Sequence, residues 1–231
     1  DLDHALKAYE RVLEFDPYNL AALKSLERLY INSSRWKELI ETYHKELSTV
    51  QDQNERLLLY LSAAQVWEEK IGEKNQAILS YEKALELSPQ NLLILRSLQR
   101  LYAQRERWAD LDKVLEQEAS LKEDVAQATS LYLKIAGLCE ERLGEKPKAI
   151  TLYRWVLDKD PQNHTALHSL KRIYSEEEIW EELVKVLEAM VGITQEPPEL
   201  VKNYMEIGSL YEDKLSLGDK ALENFERAFQ I

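Results

Sequence analysis

Apolar residues along this chain recur at helical rather than strand spacing. Leu23, Leu26 and Tyr30 fall at i, i+3 and i+7, and Ala77, Tyr81 and Leu85 at i, i+4 and i+8. That is the spacing of one buried face of an amphipathic helix. Few residues alternate apolar and polar at period two, the mark of a half-buried strand. The gaps between stripes carry helix punctuation. Gly72 and Gly144 stand where a helix terminator belongs. Pro17, Pro89 and Pro161 follow helical stretches, and Asn19, Asn91 and Asn163 then stand where a side chain caps the next helix. Pro197-Pro198 marks another loop.

The whole pattern recurs at a step of 72 residues, as the three prolines at 17, 89 and 161 show. Trp36, Trp108 and Trp180 keep that step, as do Ala5, Ala77, Ala149 and Ala221, and the aromatic series Tyr9, Tyr81, Tyr153 and Phe225. Self-similarity at a fixed period marks a stack of repeated units. Each period predicts four helices, here A, B, A′ and B′, at 20–32, 35–48, 54–70 and 75–87 in the first copy. A lone B′-type helix at 2–15 precedes them, giving thirteen helices. The expected fold is an all-α solenoid of antiparallel helix pairs over 1–231, with a half repeat at 1–17 and double repeats at 18–89, 90–161 and 162–231. No polar capping helix is visible, so the expectation is a piece of a longer array, or ends that stack on other copies.

Each period divides into two units that resemble tetratricopeptide repeats, whose pattern is W-x2-L-G-x2-Y, then A-x3-F and P. The A′ helices resemble its first half through Tyr60, Ala63, Ala64 and Trp67, then Tyr132, Ile135, Ala136 and Cys139, then Tyr204, Ile207, Gly208 and Tyr211. The B′ helices resemble the second half through Ala77, Tyr81 and Pro89, and through Ala149, Tyr153 and Pro161; the last copy has Ala221 and Phe225. The A/B units diverge, with Glu27 at the small position and Leu39 at the helix-B alanine. The resemblance spans the chain and implies that the solenoid winds right-handed. It also implies a binding scaffold, a fold that by itself names no partner.

Composition narrows the classes. At 45% hydrophobic and 31% charged the chain is neither disordered nor membrane-embedded, and no apolar run approaches the ~18 residues of a transmembrane helix. A net charge of −12 opposes nucleic-acid and anionic-lipid binding. The single cysteine, Cys139, excludes an internal disulfide and fits a reducing compartment, with the cytoplasm favoured.

Candidate chemistry is sparse. Six scattered glycines make no phosphate loop. Cys139 replaces Trp67 and Tyr211 at a core position and reads as a small buried hydrophobe. His164 and His168 lie at i, i+4 but have no third ligand nearby in sequence. The acidic pairs Glu68-Glu69, Glu140-Glu141 and Glu212-Asp213 recur once per period, as a solvated or internally paired face does. The expectation is therefore no enzyme, no metal and no cofactor.

One motif raises a question of its own. LKSLERLY at 23–30 returns as LRSLQRLY at 95–102 and LHSLKRIY at 167–174. At about 100° per residue, Arg28 points away from the stripe of Leu23, Leu26 and Tyr30. The resemblance implies that A-type helices line the inner groove of the superhelix. That places Lys24 and Arg28, Arg96 and Arg100, and His168 and Arg172 on the groove, with Leu61, Gln65, Leu133 and Met205 beside them on A′ helices. Such a surface fits an acidic, hydrophobic peptide, since guanidinium presents a planar fork to carboxylates. Alternatively, the three arginines pair with Glu68, Glu140 and Glu212 of the same chain. A second hypothesis is end-to-end self-association through Phe225, Ala228 and Phe229.

Overall fold

The computed structural model describes residues 2–231, and every regular element among them is helical. The thirteen α-helices are α1 (Leu2–Phe15), α2 (Leu20–Asn32), α3 (Trp36–Thr49), α4 (Gln53–Gln65), α5 (Lys74–Leu87), α6 (Leu92–Gln104), α7 (Trp108–Ser120), α8 (Val125–Leu138), α9 (Lys146–Lys159), α10 (His164–Glu176), α11 (Trp180–Ile193), α12 (Pro197–Asp213) and α13 (Gly218–Phe229). They run B′, then A, B, A′, B′ three times, the order expected of an all-α stack of repeats. No helix among the described residues is long and apolar enough to cross a membrane.

The helix starts follow the expected chemistry. Asn19 accepts from the Ala22 N–H at 3.0 Å, Asn91 from Leu93 at 3.0 Å and Asn163 from Ala166 at 3.1 Å. Asp52 and Asp124 do the same for α4 and α8. Each cap satisfies an N–H that the first turn leaves without a partner, and Asn91 accepts from a second, Ile94, at 3.3 Å.

The A′ helices depart from the expected continuous α-helix. After α4 the chain runs through a π-helical segment, Val66–Ile71, and after α8 through another, Cys139–Leu143. A π turn holds one more residue than an α turn and so shifts the phase of the side chains it carries. It places Glu68 and Glu140 inward, with side chains 13% and 3% exposed. Gly72 and Gly144 end these segments at φ 86° and 69°, a left-handed conformation that costs glycine little. α12 has no π turn, and Glu212 is exposed.

The chain forms two compact units, one ending at Val114 and one running from Leu115 to Ile231. In the first, α1 to α6 pack in sequence, each against the next. Leu6, Leu26, Tyr30, Leu39, Ile40, Tyr43 and Leu59 share one core, with Trp36 and Trp67 packed on its edge. The core tyrosines keep their hydroxyls paired: Tyr30 donates to Glu10 at 3.0 Å and Tyr102 to Glu82 at 2.8 Å. In the second unit α8 to α13 pack the same way. Ile135, Ala136, Leu167, Leu170, Ile173, Leu187 and Ile207 are buried there. Cys139 is fully buried, as expected of a small hydrophobe.

Candidate interaction surface

The residues opposite the helix-A stripe divide into two groups. Arg100 pairs with Glu68, and Arg172 Nη2 lies 2.7 Å from Glu140 Oε1. Both carboxylates also accept from a tyrosine of the intervening B′ helix: Tyr81 reaches Glu68 at 3.4 Å and Tyr153 reaches Glu140 at 3.1 Å. Each Tyr–Glu–Arg set joins an A′ helix, its B′ partner and the next A helix. The Arg172 N–H groups are not aligned on Glu140 Oε1, which lacks a directed hydrogen bond. That pair is held by charge rather than by geometry. Arg28 forms no ion pair among the described residues. It is exposed, as are Lys24, Gln65, Arg96 and His168. Leu61 and Leu133 are half-buried, and Met205 is 46% exposed.

Two clefts sit at equivalent places in the first and third periods. Lys24, Glu27, Glu46, Val50, Glu55, Leu58, Leu59 and Ser62 line the first, of about 230 Å³. His168, Lys171, Arg172, Met190, Glu199, Lys202 and Asn203 are among the residues lining the other, of about 410 Å³. A step of 144 residues maps Lys24 on His168, Glu27 on Lys171, Glu46 on Met190, Leu58 on Lys202 and Leu59 on Asn203. Glu176 and Glu199 also line the second cleft, and Lys171 is held 2.7 Å from Glu206, so the same scaffold position is dominated by carboxylates in one unit and carries a small excess of cations in the other.

Each cleft contains one buried polar group without a partner. Asn203 is 2% exposed and its Nδ2 donates to nothing. Glu46 is 1% exposed and its Oε1 accepts from nothing. Burial, reinforced by Glu27 and Glu55 and opposed by Lys24, raises the Glu46 carboxyl from 4.5 to about 7. A carboxyl whose folded pKa is raised holds its proton more tightly in the folded state. Stability then falls as pH rises from the unfolded value through the folded one. Allowing for water entering the cleft, wild type should lose about 2 kcal/mol relative to Glu46→Gln between pH 4 and pH 8. Urea denaturation of both proteins at the two pH values checks this, and parallel pH profiles would refute it.

Sequence reasoning found His168 and Arg172 but missed Lys171, Lys202 and Asn203, and missed Glu27, Glu46 and Glu55. The signal was present as breaks in the repeat. Position 59 reads Leu59, Leu131, Asn203 through the three periods, and position 46 reads Glu46, Glu118, Met190. A polar residue where two copies keep leucine marks a place that packing alone does not determine.

The self-association residues do not form one exposed face. Phe229 is 92% exposed, but Ala228 is buried at 6%, and Phe225 is half-buried. Ala228 follows Phe225 by three residues and turns with it toward α12, whose Gly208 the Phe225 ring overlies. Ala228 is thus removed from the candidate surface.

Segments 22–57 and 68–91 match models of the tetratricopeptide repeat. No curated sequence matches the chain. Among solved structures the chain is similar to Naa15/Naa10 bound to HypK-THB, with 17% identity and a TM-score of 0.60, over 97% of this chain and 34% of that one. It is also similar to the MamA protein (22% identity, TM-score 0.44, 77% of this chain and 92% of that one). A tetratricopeptide repeat protein from Parabacteroides merdae gives 15% identity and a TM-score of 0.42, over 100% of this chain and 86% of that one. The likeness to the Naa15/Naa10 structure is one of fold.

Proposed function

Because the chain belongs to the tetratricopeptide-repeat superfamily, we propose that it is a non-catalytic scaffold that captures a partner polypeptide on its A and A′ helices. The observation that carries this reading is the basic cleft of the second unit. His168, Lys171, Arg172 and Lys202, with Glu176 and Glu199, line a cleft that holds a buried amide donor with no acceptor among the described residues. Lys171 and Arg172 already pair with Glu206 and Glu140, which leaves Lys202 as the cation most open to a ligand. An unmet buried donor costs about 1–3 kcal/mol, and a carboxylate or carbonyl of a bound peptide would supply what it lacks. The half-buried Leu133 and the exposed Met205 offer apolar contact on the A′ helices of the same unit. The partner segment is therefore acidic and hydrophobic.

The arginines divide their roles in this reading. Arg100 and Arg172 hold successive helices together and offer a ligand only their outer donors. Arg28 and Lys24, with Leu61 and Gln65, supply the ligand surface of the first unit. Among the described residues Lys24 is engaged at 3.9 Å with Glu55.

The test restores the repeat. Asn203→Leu puts back the residue found at Leu59 and Leu131. It should raise stability by about 1–2 kcal/mol, since a buried unmet donor is replaced by an apolar side chain. The same change, or Lys202→Glu, should weaken binding of fluorescein-labelled peptides of Glu, Asp and Leu by about tenfold in anisotropy titrations. Lys-for-Glu versions of those peptides serve as the control. If Asn203→Leu stabilises but acidic peptides bind wild type and both variants alike, the cleft is not the ligand site.

A further inference from the structure

We propose that the acidic cleft of the first unit is a receptor for a lysine side chain of the partner polypeptide. This rests on the scaffold reading above and adds to it a second subsite of opposite charge. Three carboxylates, Glu27, Glu46 and Glu55, face one cleft, and Glu46 Oε1 is buried there without a partner. A carboxylate in that state calls for a cationic donor, because an unpaired buried charge is costly.

The protein itself contains the occupied version of this site. One period later, Glu118 occupies the place of Glu46, and its side chain is also buried, at 5% exposure. There Lys122, four residues on, brings Nζ to 3.4 Å from Glu118 Oε1, with its own side chain 12% exposed. The residue at the Lys122 position in the first period is Val50. The repeat thus keeps the acceptor and omits the ammonium.

The chemistry of the walls selects an alkylammonium. Val50 and Leu59 are buried at the cleft, and Leu58 is 63% exposed beside them. These apolar surfaces suit the methylene stem of a lysine whose head meets the carboxylates. No group of three or more His, Cys, Asp or Glu side chains among the described residues is disposed to hold a metal ion. Lys24 stays at the rim: it is 51% exposed, and the oxygen it approaches belongs to Glu55.

Binding should strengthen as pH rises through 7, as Glu46 ionises. The groups that face Glu46 and set this dependence are Lys24 and Glu27 on α2, Glu55 on α4 and Tyr43 on its own helix. Tyr43 stays neutral, because burial pushes its hydroxyl up, and it donates to Glu27 at 3.4 Å.

The experiment titrates Nα-acetyl-lysine methylamide into the full chain at pH 8 and follows amide chemical shifts. Saturable shifts are expected at Glu46, Leu58 and Ser62, and Nα-acetyl-norleucine methylamide should produce none. Glu46→Gln should weaken the response at least about tenfold. Val50→Lys, which supplies the ammonium internally as Lys122 does, should abolish it and lower the Glu46 pKa by at least about one unit. If Val50→Lys does not fold, as judged by circular dichroism, the isosteric Glu46→Gln variant carries the test. The proposal is overturned if the lysine compound gives no saturable shift, if the shift survives Glu46→Gln, or if spermidine binds tighter than the lysine compound. These readouts come from the first unit and use no acidic peptide. Failure here therefore leaves the basic-cleft result standing, and the reverse also holds.

Discussion

Replacing Gly208 with alanine is expected to destabilise the protein by about 2 kcal/mol, although alanine is the better helix former. Gly208 lies inside α12, where exchanging glycine for alanine ordinarily gains up to about 1 kcal/mol. A Cβ at this position would fall 2.6 Å from Phe225 Cδ1 and 2.9 Å from its Cζ. Both figures are below any normal carbon contact, and overpacking of this kind costs about 1–3 kcal/mol. The clashing atoms belong to the aromatic ring of Phe225, half-buried where α13 packs on α12, and a rigid ring has fewer torsions through which to move aside than the end of a lysine. The equivalent positions in the earlier periods hold Ala64 and Ala136, opposite Tyr81 and Tyr153. The α12–α13 pair has therefore closed over the space of one methyl group. Urea unfolding of Gly208→Ala measures the cost, and the double variant Gly208→Ala with Phe225→Leu should recover most of it. A neutral Gly208→Ala would mean that α12 and α13 separate freely to the spacing that alanine requires elsewhere.

That contact also indicates how much of the molecule the sequence discloses. The helices and their caps were legible because they rest on local rules: Asn19, Asn91 and Asn163 cap where their spacing places them. The small residue on each A′ helix was legible as a close-approach position through Ala64, Ala136 and Gly208. The π turns were not legible, because nothing in the composition of Val66–Ile71 forbids an α-helix. Their reason is tertiary: the extra residue turns Glu68 and Glu140 inward, toward a tyrosine and an arginine from two other helices. The clefts were hidden for a related reason. A projection of one helix shows which side chains point away from the core, so it found His168 and Arg172. It cannot show that Glu46 on α3 and Asn203 on α12 are buried without partners, since that depends on neighbours from other helices. Departures from the 72-residue repeat come nearer to finding them, because a position that changes from leucine to asparagine has left the packing rule.

The largest functional consequence of the pairing lies in the contrast between Arg172 and Arg28. Arg172→Ala should cost about 2 kcal/mol in urea unfolding followed by tryptophan fluorescence, and Arg28→Ala less than about 0.5 kcal/mol. Removing Arg172 leaves the Glu140 carboxylate, 3% exposed, with Tyr153 as its remaining partner. Stripping one member from a fully buried pair costs about 3–5 kcal/mol. Arg172 is 51% exposed, so water screens part of that attraction and the lower figure applies. Arg28 occupies the same place in its helix but forms no ion pair among the described residues, so its truncation breaks none of those contacts. Adding Glu140→Gln to Arg172→Ala should return about 1 kcal/mol, because the stranded charge is then gone. Equal losses for the two arginines would overturn the division of roles. The expected inequality gives one residue type two different weights at one repeat position: at Arg172 the guanidinium joins two helices through a buried carboxylate, and at Arg28 it pairs with none of the described residues.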